Sequence, residues 1–225
     1  LIPDAVLFAK TQWICDLVED NHGVVVSKVE PSIDHAVFHP HLSRAVGGLN
    51  VTTMLRPDTP RRAPLRTLRI LHALRDRYGE EVRLQVFGAE KAELEGLGLT
   101  LPAGTVNHGV MRRTQVADLL RNTDLLLDLS DYQAFGRTAL EAMACGAIPL
   151  APLLGGAGEF AHDGENALVV DTRSDGAVLQ AIERFVTANL RTREAMVLAA
   201  METAARFTVH EAALSELKLF RRMMG

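Results

Sequence analysis

The sequence predicts an α/β fold in which helices cover both faces of a parallel β-sheet. Two observations lead to this prediction. From Leu49 onward, short apolar runs alternate with longer stretches of helical periodicity, as they do in consecutive βαβ units. The apolar runs are nearly continuous, as in LLLDL at 125–129, and do not alternate with polar residues. Continuous runs of this kind are typical of strands that are buried on both faces of a sheet.

The alternating pattern predicts six strands and six helices between residues 50 and 188. The strands are predicted at 50–54, 83–87, 105–108, 125–129, 148–151 and 167–170. The helices are predicted at 64–78, 91–97, 114–122, 137–144, 158–162 and 175–188. Before this region the prediction is a helix at 11–20, a strand at 24–29 and a segment with prolines and histidines at 30–41. After it, two further helices are predicted at 192–206 and 209–223.

Length, composition and charge exclude several classes of protein. The chain has 225 residues, enough for one large domain or two small ones, and it is 48% hydrophobic and 23% charged. A net charge of −4 gives no overall attraction to polyanions, so we expect no nucleic-acid partner and at most a peripheral association with membranes. No apolar run approaches the roughly 18 residues that span a bilayer. The two cysteines, Cys15 and Cys145, lie far apart, which indicates a reduced cytosolic setting.

Positive charge is concentrated between residues 56 and 83, where there are eight arginines and four acidic residues. Four of these arginines fit the solvated face of a helix. Arg56, Arg61 and Arg62 fit it less well, because they lie in LRPDTPRRAP, directly after a predicted strand and before a predicted helix. In open α/β sheets, ligands bind at the carboxyl ends of the strands. The planar guanidinium group is suited to phosphate oxygens, so these arginines are candidate phosphate ligands.

A second candidate site lies in SDYQAFGRTALEAMACGAIP at 130–149. A predicted strand ends before it, a loop with Gly136 follows, and a helix begins near Arg137. The backbone amides at 136–138 would be unpaired at the start of this helix and could hold a phosphate group. Glu141 lies one turn further on the same face, where a carboxylate can accept hydrogen bonds from a ribose diol. Taken by itself, Glu141 could equally be a surface carboxylate that pairs with Arg137.

The whole string is more specific than its parts. It contains Gln133-Ala134-Phe135-Gly136, then Glu141-Ala-Met-Ala-Cys-Gly146 and Pro149. It resembles the donor-binding motif of the retaining glycosyltransferases of the GT-B fold, in particular glycosyltransferase family 4 (glycosyl transferases group 1). Their pattern is a Glu, seven residues and a second Glu, then Ala-Met-Ala-Cys-Gly and a Pro. The resemblance continues through Gly155-Gly156, Glu159 and DGENALVV at 163–170, and upstream through SID at 32–34 and VFHP at 37–40.

The resemblance implies a role for each candidate residue. Gln133 and Glu141 stand at the two catalytic Glu positions of the family. Gln133 and the backbone of Phe135 and Gly136 would touch the transferred sugar, whereas Glu141 would hold the ribose hydroxyls. The diphosphate would be held by the amides of Arg137 and Thr138 and by the side chains of Arg56, Arg61 and Arg62. The nucleoside pocket would be lined by Gly88, Gly109 and Val110.

The resemblance covers nearly the whole chain and implies the C-terminal, donor-binding half of a two-domain glycosyltransferase. Residues 1–45 would form the linker and the end of the N-terminal half, 46–206 the Rossmann-like nucleotide-sugar-binding domain, and 207–225 a helix that packs back toward the N-terminal half. Such enzymes transfer a sugar from a nucleoside-diphosphate sugar to a glycan or lipid-linked acceptor, with retention and without a metal or other cofactor. The implied setting is cytoplasmic polysaccharide biosynthesis. Because the N-terminal half would hold the acceptor, we expect this chain alone to bind donor but to transfer little.

Two positions depart from the family pattern. Gln133 stands where the family has a Glu, and it carries no charge that could support a developing oxocarbenium ion. Arg137 replaces an aliphatic residue, and we expect its side chain to contact the phosphates or an acidic sugar. Two alternatives to a transferase remain open: a sugar-nucleotide epimerase or hydrolase of similar fold, and a non-catalytic nucleotide-sugar-binding module, which Gln133 favours.

Several residues have a plainer interpretation than a functional one. The histidines at 35–41 lie in the stretch that resembles the family's interdomain linker and have no cysteine nearby, so we expect surface residues and no metal site. Cys145 is expected to be a small packed residue and not a nucleophile. His108 could border the nucleotide or be structural, and Gly155 and Gly156 could approach the donor or form a turn.

Overall fold

The fold is given by a computed structural model, which describes residues 5–41 and 48–224. The strands are, in chain order, β1 Phe8–Ala9, β2 Ser27–Lys28, β3 Leu49–Met54, β4 Val82–Phe87, β5 Val106–Asn107, β6 Leu125–Leu127, β7 Ile148–Pro152 and β8 Leu168–Val170. The helices are α1 Gln12–His22, α2 Pro64–Tyr78, α3 Lys91–Gly96, α4 Arg113–Arg121, α5 Arg137–Ala144, α6 Asp175–Thr187, α7 Leu190–Ala205 and α8 Val209–Met224. Short 3-10 turns occur at Pro60–Arg62, Gly79–Glu81 and Gly156–Glu159.

Six strands form a parallel sheet in the order β5-β4-β3-β6-β7-β8. The chain runs outward from β3 to β5, crosses back to β6, and runs outward on the other side to β8. Right-handed crossovers in these two directions place the connecting helices on opposite faces. Accordingly α2 packs on β4 and α6, whereas α5 packs on β7, α4 and α7. The predicted Rossmann-like sheet with helices on both faces is therefore confirmed.

The strand order reverses between β3 and β6, and this reversal creates the crevice in which such sheets bind ligands. The loop after β3 carries the arginines at 56–62, and the loop after β6 leads through residues 128–136 into α5. Both loops leave the carboxyl ends of neighbouring parallel strands. The topology therefore brings together the two sequence segments that were predicted to bind phosphate.

The two central strands that flank this crevice are joined through buried polar groups. Thr52 and Thr53 of β3 are almost completely buried. The Thr53 hydroxyl donates to the carbonyl of Leu127 in β6 at 2.8 Å, and the hydroxyls of Thr52 and Thr123 lie 2.7 Å apart. Because each of these hydroxyl groups has a hydrogen-bond partner, their burial does not carry the cost of an unpaired polar group. The sheet is thus cross-linked by side chains at the point where the strand order reverses.

One predicted element is wrong and three strands are at least two residues shorter than predicted. The strand predicted at 125–129 is β6, which ends at Leu127, before Asp128. The predicted helix at 158–162 is a 3-10 turn at Gly156–Glu159, because Asn166 takes up backbone groups that a helix would use. Its Oδ1 accepts from His162 N at 2.7 Å, and its Nδ2 donates to Phe160 O at 2.9 Å. The predicted strands at 105–108 and 24–29 are reduced to the two-residue strands β5 and β2, which lie at sheet edges.

The segment before the sheet is attached to the loops beside the crevice. β1 and β2 pair in parallel, with α1 between them in sequence. Thr11 caps α1, and its hydroxyl donates to Ala134 O at 3.0 Å. The carboxylate of Glu159 accepts a hydrogen bond from Gln12 N at 2.6 Å and pairs with Lys28 at 2.6 Å. The N-terminal segment therefore contacts both the loop after β6 and the loop after β7.

The last helix, α8, packs on this same segment. Lys10 pairs with Glu216, and Ser215 Oγ accepts a hydrogen bond from Glu30 N at 2.8 Å. The division into 1–45, 46–206 and 207–225 stays a prediction, and its boundary at 45/46 lies outside the described residues. Within residues 5–41 and 48–224, no helix is both long and apolar enough to cross a membrane.

We predict that Gly156→Ala destabilises the chain by about 1–3 kcal/mol, because overpacking a tight contact costs that much or more. A Cβ at this position would lie 2.1 Å from Ala134 O and 2.5 Å from Thr11 Cγ2. Gly158→Ala is the matched control, since a Cβ there has no heavy atom within 4 Å. Urea unfolding of both variants checks the prediction, and equal stabilities would contradict it.

Candidate functional site

Three arginines from the loop after β3 converge at the crevice. Arg56 follows the strand, and Arg61 and Arg62 end the 3-10 turn. Burial lowers the pKa of the Arg62 guanidinium, the carboxylate of Asp128 opposes this shift, and the positive charges of Arg61 and Arg56 lower the pKa further. The side chains are therefore close enough to repel one another. Such a cluster is stable only when negative charge or solvent compensates it.

The three guanidinium groups have few partners of their own. Among the described residues, their one hydrogen bond runs from Arg56 Nη1 to Gly88 O, at 3.5 Å. Arg61 stacks over the ring of Tyr132 at 5.7 Å, and its Nη1 is buried without a hydrogen-bond partner. Arg62 Nη1 lies 3.7 Å from Asp128 Oδ2. Most of the N–H donors in the cluster thus remain available to an anionic ligand.

The loop after β6 presents backbone amides to the same crevice. Gly136 precedes α5 with a φ of 92°, a conformation that side-chain-bearing residues rarely adopt. The first intrahelical bonds run from the amides of Ala139 and Leu140 to Gly136 O. No described residue accepts a hydrogen bond from the amides of Arg137 and Thr138. The helix therefore begins with two free donors, as the sequence predicts.

Glu141 lies one turn into α5 and is almost fully buried, with 8% of its surface exposed. Burial raises the pKa of its carboxyl group to about 7, while the positive charges of Arg113 and Arg137 act in the opposite direction. Among the described residues, no donor reaches this carboxyl group. A buried carboxyl group without a partner is suited to bind ligand hydroxyls. Glu141 is therefore not the surface carboxylate that the sequence left open as an alternative. Arg137, its possible partner in that alternative, is exposed.

The glycines predicted to line the nucleoside pocket meet at the ends of β4 and β5. Gly88 has a φ of 102°, and its amide donates to Gly109 O at 2.7 Å. A Cβ on Gly109 would lie 2.6 Å from a carboxylate oxygen of Glu90, and that carboxylate accepts from Val110 N at 2.8 Å. A base that uses the Val110 amide must therefore displace Glu90. His108 is exposed, and its Nε2 lies 3.0 Å from Gln85 Oε1.

Gln133 does not stand free in the crevice. Its side chain is buried, and its Nε2 donates to Asp128 Oδ2 at 2.7 Å and to Ser130 Oγ at 2.9 Å. Its partner Asp128 was not among the predicted site residues, although a charged residue that interrupts the apolar run LLLDL is a signal in the sequence. Arg113, at the start of α4, was not predicted either, because no local sequence pattern indicates its position near Glu141.

The rest of the loop is held by packing. The ring of Phe135 packs edge-on against Phe160 at 5.3 Å, so the loop is anchored in the core. A Cβ on Gly155 would lie 2.1 Å from Gln133 O, which shows that both backbones must approach closely. Gly155 and Gly156 therefore serve loop packing. Burial raises the pKa of the Cys145 thiol to about 12, in agreement with the predicted packed residue.

The chain is similar to known proteins in sequence. The model of a family described as glycosyl transferases group 1 matches residues 47–203. The D-inositol 3-phosphate glycosyltransferase of Mycobacterium bovis (strain BCG / Pasteur 1173P2) is 30% identical over 218 residues. That match covers 89% of this chain and 44% of the relative. The chain thus spans less than half the length of the curated relatives that it matches.

The fold recurs in other solved structures. A glycosyltransferase from Rickettsia africae ESF-5 superimposes with a TM-score of 0.80 at 16% identity, covering 97% of this chain and 63% of that one. HepE from Anabaena, solved in complex with UDP-glucose, gives a TM-score of 0.75 at 15% identity, with the same shares covered. At these identities the similarity shows a common fold.

We predict that Glu141→Gln stabilises the unliganded chain more at pH 8 than at pH 5. The carboxyl pKa is 4.5 in the unfolded chain and about 7 in the folded one, so the folded state keeps a proton that the unfolded state has lost. Stability therefore falls as pH rises from 4.5 through 7, by about 3 kcal/mol in total. The neutral amide removes this loss.

Urea unfolding of wild type and variant at both pH values measures the difference. The exposed Glu194→Gln is the control for loss of a carboxylate. A Glu141→Gln effect that is the same at pH 5 and pH 8 would contradict the buried, proton-holding carboxyl group.

Proposed function

The chain belongs to the glycosyl transferases group 1 family, and from this premise we propose that it is the donor-binding half of a glycosyltransferase. The donor is a nucleoside-diphosphate sugar bound at the carboxyl ends of β3 and β6. The observation that carries the proposal is the convergence of Arg56, Arg61 and Arg62 on a crevice that also receives the free amides at the start of α5. Asp128 alone among the described residues forms an ion pair with this cluster.

In this proposal the diphosphate lies between the arginines and the start of α5. Guanidinium groups can bind phosphate oxygens bidentately, and free amides at a helix N-terminus bind them through the helix dipole. The same groups stabilise the charge that develops on the departing nucleoside diphosphate during transfer. Because fixed positive groups supply this stabilisation, we propose that the reaction needs no metal.

Glu141 would hold the ribose. Two adjacent hydroxyl groups can donate to one carboxylate, and Arg113 and Arg137 stabilise its ionised form. The exposed Arg137 side chain would then also lie beside the phosphates. The proposed roles of Glu141 and Arg137 are thus linked: the arginine that favours the charged carboxylate also contributes to binding the anionic part of the donor.

The complete enzyme would transfer the sugar with retention to a glycan or lipid-linked acceptor, in cytoplasmic polysaccharide biosynthesis. An acceptor must approach the sugar from the open side of the crevice, and a second domain would hold it there. Effective transfer requires both substrates in one geometry. The chain by itself would therefore bind donor and transfer little.

We predict that the chain binds at least one of UDP, GDP and dTDP, and that Arg62→Ala weakens this binding by roughly ten- to hundredfold, since a hydrogen bond to a charged group contributes about 1.5–3 kcal/mol. Arg69→Ala is the matched control, because it removes an exposed arginine of α2 that pairs with Asp175. Arg137→Ala is also expected to weaken binding. Titration calorimetry, repeated with EDTA, measures each affinity.

Three results would contradict the proposal. The wild-type chain could bind none of the three diphosphates, Arg69→Ala could weaken binding as much as Arg62→Ala, or binding could depend on a divalent metal. The first would remove the donor site altogether. Equal weakening by Arg69→Ala would mean that the arginines act only through the overall positive charge of this region. Dependence on a divalent metal would mean that a bound cation, and not the arginine cluster, neutralises the diphosphate.

A further inference from the structure

Asp128 is a buried carboxylate beside the arginine cluster. It follows β6 directly, and 8% of its surface is exposed. Oδ1 accepts hydrogen bonds from Ser130 Oγ and, at 3.2 Å, from Ser130 N. Oδ2 accepts from Gln133 Nε2 at 2.7 Å and lies 3.7 Å from Arg62 Nη1. Both oxygens are therefore committed to a fixed set of donors.

The donors fix the chemistry of position 133. The Gln133 amide has two N–H groups, and they are used by Asp128 Oδ2 and Ser130 Oγ. Ser130 Oγ donates its proton to Asp128 Oδ1, so it can only accept from Gln133. The amide nitrogen of Gln133 must therefore face Asp128. Its carbonyl oxygen receives no hydrogen bond from the described residues.

A Glu at position 133 would not fit this arrangement. It would place two carboxylates within hydrogen-bond distance, where like charges disfavour ionisation of both. Gln133 lacks the carboxylate that the family pattern has at this position, and the side chain of Asp128, which is hydrogen-bonded to Gln133, supplies a carboxylate instead. One carboxylate and one amide are present, with the charge on residue 128.

We propose that Asp128 is the positioning carboxylate of the donor site. It orients the Arg62 guanidinium toward the diphosphate. It also holds Gln133 so that, in this side chain, only the carbonyl oxygen is free to accept a hydrogen bond from a hydroxyl group of the donor sugar. The inference rests on the proposed function, because both consequences concern the bound donor. It also explains why the chain can lack the family's Glu without losing negative charge in the crevice.

The test exchanges the two functional groups. Affinities for UDP, GDP, dTDP and inorganic pyrophosphate are measured for Asp128→Asn, Gln133→Glu and the double variant. Each single change is expected to weaken binding about tenfold, because one loses the carboxylate that holds Arg62 and the other sets two carboxylates against each other. The double variant restores one carboxylate and one amide, and it should bind within about threefold of wild type.

Pyrophosphate affinities measured in the Arg62→Ala background show whether Asp128 acts by positioning Arg62 or whether its loss damages the structure in general. In the Arg62→Ala background, Asp128→Asn should have little further effect on pyrophosphate affinity, because the group that it orients is gone. Asp131→Asn is the matched control: it removes one charge from the same loop, where Asp131 pairs with Arg66. Its affinity should stay within about twofold of wild type.

The outcomes distinguish the inference from the proposed function. If wild type binds none of the probes, both are contradicted. If wild type binds but Asp128→Asn binds equally well or more tightly, only the inference fails, since a carboxylate that merely lowers the positive potential would give tighter binding when removed. Additive effects in the double variant would also overturn it. If Asp128→Asn does not fold alone, the double variant decides: binding near wild type supports the inference, and lost binding contradicts it.

Discussion

The candidate site depends on holding three positively charged arginines close together, in the loop that follows β3. Arg56, Arg61 and Arg62 lie within electrostatic range of one another, and burial adds a further cost for Arg62. Asp128 is the one carboxylate of the described residues that pairs with them. A rigid arrangement of strands and loops is needed to hold this excess of positive charge in place. The same excess of positive charge favours the binding of an anion. The rigid arrangement consists of the reversal between β3 and β6 and the loops that follow these strands.

Close backbone contacts supply the rigidity. Gly155 and Gly156 let the loop after β7 touch the loop after β6 at distances that a Cβ would not permit. Thr11 adds a hydrogen bond from the N-terminal segment to Ala134 in the same loop. Glu159 links the start of α1 to the 3-10 turn. The loop that presents the amides of α5 is therefore held by the loop after β7 and by the N-terminal segment before any ligand binds, which is the preorganisation that anion binding requires.

The sequence predicted those parts of the site that depend on local chain chemistry. Gly136 before α5 and the arginines directly after β3 follow from turn chemistry and strand position, and the structure places them at one crevice. It did not predict what depends on packing between distant segments. Glu141 is buried because other elements cover α5. The role of Asp128 depends on its hydrogen bond with the side chain of Gln133, five residues further along the chain. The helix predicted at 158–162 failed for a similar reason, because the Asn166 side chain competes for its backbone groups.

A crystal structure of the chain with UDP, GDP or dTDP tests the central claim most directly. The account predicts that the diphosphate lies between Arg62 and the amides of Arg137 and Thr138, with the ribose hydroxyls on Glu141. A diphosphate bound elsewhere would contradict it. So would a crevice that stays empty at ligand concentrations that saturate binding in solution.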